Sequence, residues 1–174
     1  MLMGVFWTAS SFNYYLMSFF LKYIPGNIYE NTSISSGAEI TAYITSGYII
    51  KVLGFRISYI IAFAIATSGG VLMVIFQNDD NMMAVFVLLS KLGIAFAFNN
   101  SYLATPRLFP VALTGTAFGL CNVLARFCTV LSPLVAEIAY PMPMIIFASI
   151  SGISAVLAIF LQTPPSENDS KVSE

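Results

Sequence analysis

The sequence contains no histidine, only two cysteines and one tryptophan, and few charges: 7 Lys or Arg and 8 Asp or Glu in 174 residues. Each shortage excludes something. Without histidine there is no His-ligated metal or haem site and no serine–histidine hydrolase chemistry. No nucleophile–base pair and no metal-ligand cluster stands at workable spacing, so neither enzyme activity nor a cofactor is expected. Cys121 and Cys128 lie seven residues apart in one apolar stretch. On a helix their Cα atoms would be about 10 Å apart, beyond disulfide reach, and both read as packing residues. Charged residues are 9% of the chain, too few to cover a water-soluble domain of this length. A net charge of −1 and the lack of a basic cluster give no indication of nucleic acid or of a lipid-surface reader.

What the chain does have is apolar length. Six stretches, at residues 1–21, 33–50, 57–76, 82–104, 112–139 and 142–161, fill nearly all of it, and the third and sixth hold no charged residue. A helix rises about 1.5 Å per residue and the hydrocarbon core is about 30 Å thick, so roughly 20 apolar residues span it. Only helices or closed barrels satisfy the backbone in lipid, and barrel strands would alternate over about ten residues rather than run continuously apolar. The expectation is an all-α membrane protein with six transmembrane helices in one domain, residues 1–162. The segment 163–174, rich in Pro, Ser and acids, is expected to be a disordered cytosolic tail. The first run has no positive flank and is too long for a signal core, so no signal peptide is expected.

Charge in the gaps sets the orientation. Lys51 and Arg56 fill one gap and Arg107 another, while the alternate gaps hold Glu30, Asp79 and Asp80 against Lys22. The positive-inside rule places both termini, 51–56 and Arg107 in the cytosol. Asp79 and Asp80 then read as a solvated turn, and Glu137 as wet. Asn31-Thr32-Ser33 is a glycosylation sequon on the outer side, close to the membrane; Asn99-Asn100-Ser101 falls inside a span and Asn168-Asp169-Ser170 on the cytosolic side, where both are chance matches. Tyr140-Pro141-Met142-Pro143 makes a very short turn, which predicts that the last two helices are antiparallel neighbours.

An ionisable group inside a span costs several kcal/mol unless it meets a partner or water, which makes each one a functional candidate. Three stand out: Glu39, Lys91 and Arg126. Glu39 continues a polar or small stripe with Ser35, Ala42 and Ser46; Arg126 continues one with Asn122, Thr129 and Pro133. The spacings keep each stripe on one helical face. The first span offers an uncharged equivalent in Ser10, Asn13, Tyr14 and Met17. The third and sixth spans have no such stripe and are expected to face lipid, while the first, second, fourth and fifth surround a polar interior. Plainer readings stand beside this one. Glu39 and Lys91 would also make a purely structural ion pair. Arg126 could be neutralised by carbonyl groups or by Glu137, about 16 Å further along the same helix. Tyr14 and Tyr15 could be ordinary packing.

Larger patterns narrow the choice. The stretch Tyr102-Leu103-Ala104-Thr105-Pro106-Arg107-Leu108-Phe109-Pro110, followed by Gly115-Thr116-Ala117-Phe118-Gly119, Ala125-Arg126 and Ser132-Pro133, resembles the organic cation/anion/carnitine transporter family of the major facilitator superfamily. Tyr14-Tyr15, Gly26-Asn27-Ile28-Tyr29, Ala38-Glu39-Ile40 and Leu53-Gly54-Phe55-Arg56 fall in the order and spacing of that family's second half, from about residue 10 to residue 165. The resemblance implies helices seven to twelve of a twelve-helix transporter. It places Tyr14 at an aromatic cavity position, Glu39 at a cavity carboxylate of the cation members, and Lys91 where those members often carry a basic residue. Arg126 falls where anion and carnitine members tend to have arginine. With Asn122 shaping the pocket, the implied substrate-binding set is Tyr14, Glu39, Lys91, Asn122 and Arg126, for a small organic anion or zwitterion moved by alternating access.

The departures from the family pattern are specific. Arg107 replaces an acid, Val111 a threonine and Thr114 an arginine, and Lys51-Val52-Leu53-Gly54-Phe55-Arg56 lacks the aspartate and one arginine of the cytosolic latch. Alternating access needs two six-helix halves around a central site. One half supplies one wall, so an N-terminal six-helix half, in the same chain or as a partner, is expected, and without it the wall of Glu39, Lys91 and Arg126 would face lipid. The competing expectation is a non-transporting structural or regulatory subunit built on a transporter half. A sugar porter fits less well, because neutral sugars are held by amides and hydroxyls. The plasma membrane is the family's default location.

Overall fold

The computed structural model describes residues 2–24, 28–76 and 80–161, and at 28, 30, 31, 80 and 81 the backbone alone. The tail at 163–174, Asp79, and the side chains of Glu30, Asn31 and Asp80 lie outside the described residues. The helices are α1 (Leu2–Phe20), α2 (Ile28–Ile75), α3 (Asp80–Leu108), α4 (Val111–Thr129), α5 (Ser132–Ala136) and α6 (Met142–Ala158), with a 3₁₀ turn at Leu21–Tyr23 after α1.

Proline and one glycine divide these rods. Ile24, which precedes Pro25, is extended at φ −81°, ψ 133°, the conformation that a following proline favours. Pro110 caps α4 and Pro141 caps α6. Pro133 lies in the first turn of α5 and cannot donate to the Thr129 carbonyl, so the expected continuous helix at 112–139 is instead two pieces with a loosened turn between them. Gly54 has φ 75° and ψ 173° inside the long α2. That combination is essentially reserved for glycine.

The chain reverses at Gly54. Along the first arm of α2, residues 28–53, Glu39 meets Lys91 and Ser46 meets Asn99, so this arm runs parallel to α3. Along the second arm, residues 55–75, Ser58 meets Asn100 while Met73 meets Ser90, so that arm runs antiparallel to α3. The two arms therefore oppose each other, and the gap expected at 51–56 is a hairpin bend. Trp7 opposite Thr105 and Ser18 opposite Lys91 make α1 antiparallel to α3. Asn13 opposite Ser151 and Phe20 opposite Tyr140 make α1 antiparallel to α6. Trp7 beside Phe118 and Lys22 beside Glu137 make the α4–α5 stretch parallel to α1, so the six segments alternate in direction.

Three stretches, Thr32–Ile75, Met82–Leu108 and Val111–Ala136, are long and apolar enough to cross a membrane, and Met142–Ala158 is a shorter apolar helix. Large apolar side chains such as Ile44, Phe127 and Ile153 are exposed on outer faces, where water would penalise them and lipid would not. This is an all-α integral membrane protein.

Two helices organise the core. In α1, Phe6, Trp7, Leu16 and Met17 are essentially inaccessible. In α3, Ile94, Ala95 and Ala97 are fully buried. The second arm docks on α3 through small residues: a Cβ on Gly93 would stand 2.4 Å from the Ala66 nitrogen, and one on Gly69 2.3 Å from Ser90 Oγ. Between membrane helices such close approach is a main source of packing energy.

Three expectations change here. The second arm and α6 were to be lipid-facing. Each instead buries one face: Tyr59 donates to Ser101 Oγ at 3.2 Å, and Ser151 accepts from Asn13. Isolated serines and a tyrosine suffice for this, without the continuous stripe that marks the other segments. Next, α6 packs on α1 and on the second arm rather than beside α4, because α1 stands between them; Tyr140 donates to the Met73 carbonyl and ties the start of α6 to that arm. Finally, only Cys121 is a buried packing residue; Cys128 is a free thiol on the exposed side of α4.

Candidate functional site

The stripe on the first arm shares one face, as its spacing predicts, and that face meets α3. Ser35, Ala42 and Ser46 are buried, and Glu39 between them is partly open. Across from it α3 presents Lys91, whose side chain is 2% exposed against 22% for Glu39. The ammonium lies 3.0 Å from Glu39 Oε1, donates to Ser18 Oγ at 2.5 Å and sits 3.9 Å from the centre of the Tyr14 ring. Tyr14 closes the cluster by donating its hydroxyl to Glu39 Oε2 at 2.9 Å, while its ring stacks on Phe98 at 5.0 Å. Three helices thus converge on one ammonium group. Lys91 was expected on an open polar wall; it is covered, because the four-carbon stem carries its charge back onto α1, where a hydroxyl and an aromatic face replace water.

A second group lies beside the first. Arg126 on α4 donates from Nη1 to the Tyr15 hydroxyl at 2.9 Å and from Nε to Asn122 Oδ1 at 3.3 Å. It is exposed, and with Asn122, Val123, Phe127 and Val130 it lines an open depression of about 290 Å³. Glu137 does not reach it: that carboxylate pairs with Lys22 at 3.5 Å, with both groups exposed. Among the described residues Arg126 has no carboxylate partner. The two groups meet where Tyr14 and Tyr15 touch edge to face at 5.5 Å.

All five sequence candidates therefore fall into two adjoining clusters, Tyr14, Glu39 and Lys91 in one and Asn122 and Arg126 in the other. Three participants were not singled out. Ser18 is one turn from Tyr14 on the same face of α1, a spacing that could have found it. Phe98 and the Tyr15–Arg126 contact join residues distant in sequence, with no local signal. The rest of the α1 stripe disperses: Ser10 turns to Ser101 at 3.3 Å, Asn13 to Ser151 and the Phe147 carbonyl, and Met17 into the core. Those three hold helices together and do not line the site. Asn99 and Asn100 likewise donate to Ser46 at 2.5 Å and to Ser58 at 2.9 Å.

Electrostatically, Glu39 and Lys91 cancel each other, and the remaining formal charge is the positive one on Arg126. Such a surface can orient a small ion through aromatic faces, hydroxyls and one guanidinium. Among the described residues no group of three or more His, Cys, Asp or Glu side chains could hold a metal.

No family model matches the chain. Individual relatives do. Solute carrier family 22 member 4 of Mus musculus is 29% identical over 160 residues, which is 88% of this chain and 29% of that protein. Organic cation/carnitine transporter 2 of Homo sapiens is 29% identical over 161 residues, 89% of this chain and 28% of that protein. Solute carrier family 22 member 6-B of Xenopus laevis is 30% identical over 165 residues, 89% of this chain and 29% of that protein. The chain thus spans less than a third of the length of these curated relatives, all solute carriers or transporters and none an enzyme. Over nearly its whole length the chain is similar at once to several organic cation/carnitine transporters and family 22 solute carriers.

Proposed function

We propose that this chain forms one wall of a transporter that moves a small organic anion or zwitterion across a membrane by alternating access. In this reading the six alternating segments are six spans, a second six-helix half supplies the facing wall, and the plasma membrane is the site of action. Tyr14, Glu39, Lys91, Asn122 and Arg126 form the solute-binding surface. The observation that carries the charge preference is that Glu39 and Lys91 neutralise each other while Arg126, among the described residues, has a hydroxyl and an amide but no carboxylate as hydrogen-bond partners. A guanidinium in that setting suits a carboxylate, which it can hold through two parallel hydrogen bonds.

The test is uptake by a reconstituted protein in which this chain is combined with an N-terminal half. Arg126→Ala is expected to abolish the preference for organic anions over cations, and Arg126→Asp to invert it. Unchanged uptake of both classes would remove Arg126 from selectivity. A second reading, a non-transporting subunit, draws on Arg107, Val111 and Thr114 standing where the family's latch residues would be. Stable co-purification with unrelated subunits, without stabilisation by any organic ion, would favour it.

A further inference from the structure

The surroundings of Lys91 have the composition of a receptor for a cation. An aromatic face at 3.9 Å, a carboxylate oxygen at 3.0 Å and a hydroxyl at 2.5 Å converge on one nitrogen, and they come from α1 and the first arm, neither of which carries that nitrogen. This is the combination that binds organic ammonium groups elsewhere in chemistry: ring quadrupole, counter-charge and acceptor. Tyr14 is held in this pose from both sides, by its hydroxyl bond to Glu39 and by Phe98 stacked on its ring. The site is also reachable. A cavity of about 350 Å³ opens between the end of α1 and the start of the first arm, and Ser18, Ser35, Glu39 and Lys91 line it.

We propose that Tyr14, Ser18 and Glu39 form a binding site for a primary organic ammonium group, and that Lys91 is its tethered occupant. The inference rests on the reading of this wall as a solute-binding surface and gives Lys91 a definite task there. While its ammonium fills the receptor, free cations are kept out, and the charge left to select a solute is that of Arg126. Specificity arises from an occupied subsite as well as from an attractive one.

The experiment follows from the atoms removed. Lys91→Ala deletes Cγ, Cδ, Cε and Nζ, which together amount to n-propylammonium. The 174-residue chain in nanodiscs is heated while the emission of its single tryptophan, the buried Trp7, reports unfolding. n-Propylammonium chloride is expected to raise the midpoint of Lys91→Ala by at least about 3 °C over the same concentration of sodium chloride. The wild type and Lys91→Ala/Glu39→Gln should not respond. Equal responses of wild type and Lys91→Ala, or no response in Lys91→Ala, would overturn the proposal. If Lys91→Ala does not accumulate, Lys91→Met keeps the stem and vacates only the place of the ammonium; it is tested with ammonium chloride against sodium chloride on the same terms. Uptake plays no part in this readout. A flat midpoint therefore removes the tethered cation and leaves the transport reading to the Arg126 variants, while a negative uptake result leaves the midpoint informative.

Discussion

The Lys91 ammonium lies 3.0 Å from Glu39 Oε1, and of the two side chains the lysine is the more deeply buried, 2% exposed against 22%. That asymmetry decides which partner depends on the other. Removing the carboxylate strands a buried charge, whereas removing the lysine leaves a carboxylate still touched by solvent and by Tyr14.

Glu39→Gln is therefore expected to destabilise the chain by about 3 kcal/mol, the usual cost of breaking a buried pair from one side. Glu39→Gln/Lys91→Met should recover much of the loss, because no orphan charge remains. Thermal unfolding of the single and double variants checks this through their non-additivity. Additive losses would mean that the pair is not coupled.

Gly54 carries the reversal between the two arms, at φ 75° and ψ 173°. Asparagine tolerates the left-handed helical region but not this one, so Gly54→Asn should be no better than Gly54→Ala, each costing about 2 kcal/mol. Comparable unfolding midpoints for wild type and both variants would show that the bend does not need glycine.

Gly93 and Gly115 make a matched pair. A Cβ on Gly93 would stand 2.4 Å from the Ala66 nitrogen and 2.9 Å from the Ala62 oxygen, both backbone atoms that cannot swing aside. Gly93→Ala should cost about 1–3 kcal/mol by forcing the second arm away from α3. Gly115 has nothing within 4 Å, and Gly115→Ala should be neutral or stabilise α4 by up to about 1 kcal/mol. Unfolding midpoints that shift in opposite directions are the expected outcome.

Asn13 donates to the Phe147 carbonyl at 3.1 Å and to Ser151 Oγ at 2.9 Å, and is completely buried. Asn13→Ala should lower stability by about 1–2 kcal/mol, since hydrogen bonds between membrane helices contribute modestly. Because Asn13 faces α6 and not the site, the n-propylammonium response of Lys91→Ala should survive when Asn13→Ala is added. Loss of that response would place Asn13 in the site after all.

Class, helix content and the identity of the charged candidates were legible in the chain itself. Apolar runs of membrane length force helices, because lipid offers the backbone no other hydrogen-bonding partner, but proline alone did not show where rods end: Pro106 lies inside α3, while Pro133 divides a stretch expected to be continuous. The period of Ser35, Glu39, Ala42 and Ser46 placed these four on one face of the first arm. Periodicity reports which residues share a face but not what stands opposite. It could not say that Ser10 and Asn13, close on one helix, would turn to α3 and α6. Nor could it place α1 between α4 and α6, or show that a lysine on α3 would reach across to rest on a tyrosine of α1. Those facts are decided by packing, in which small residues such as Gly69 and Gly93 set the distance between rods and long polar side chains seek the nearest acceptor in a medium without water.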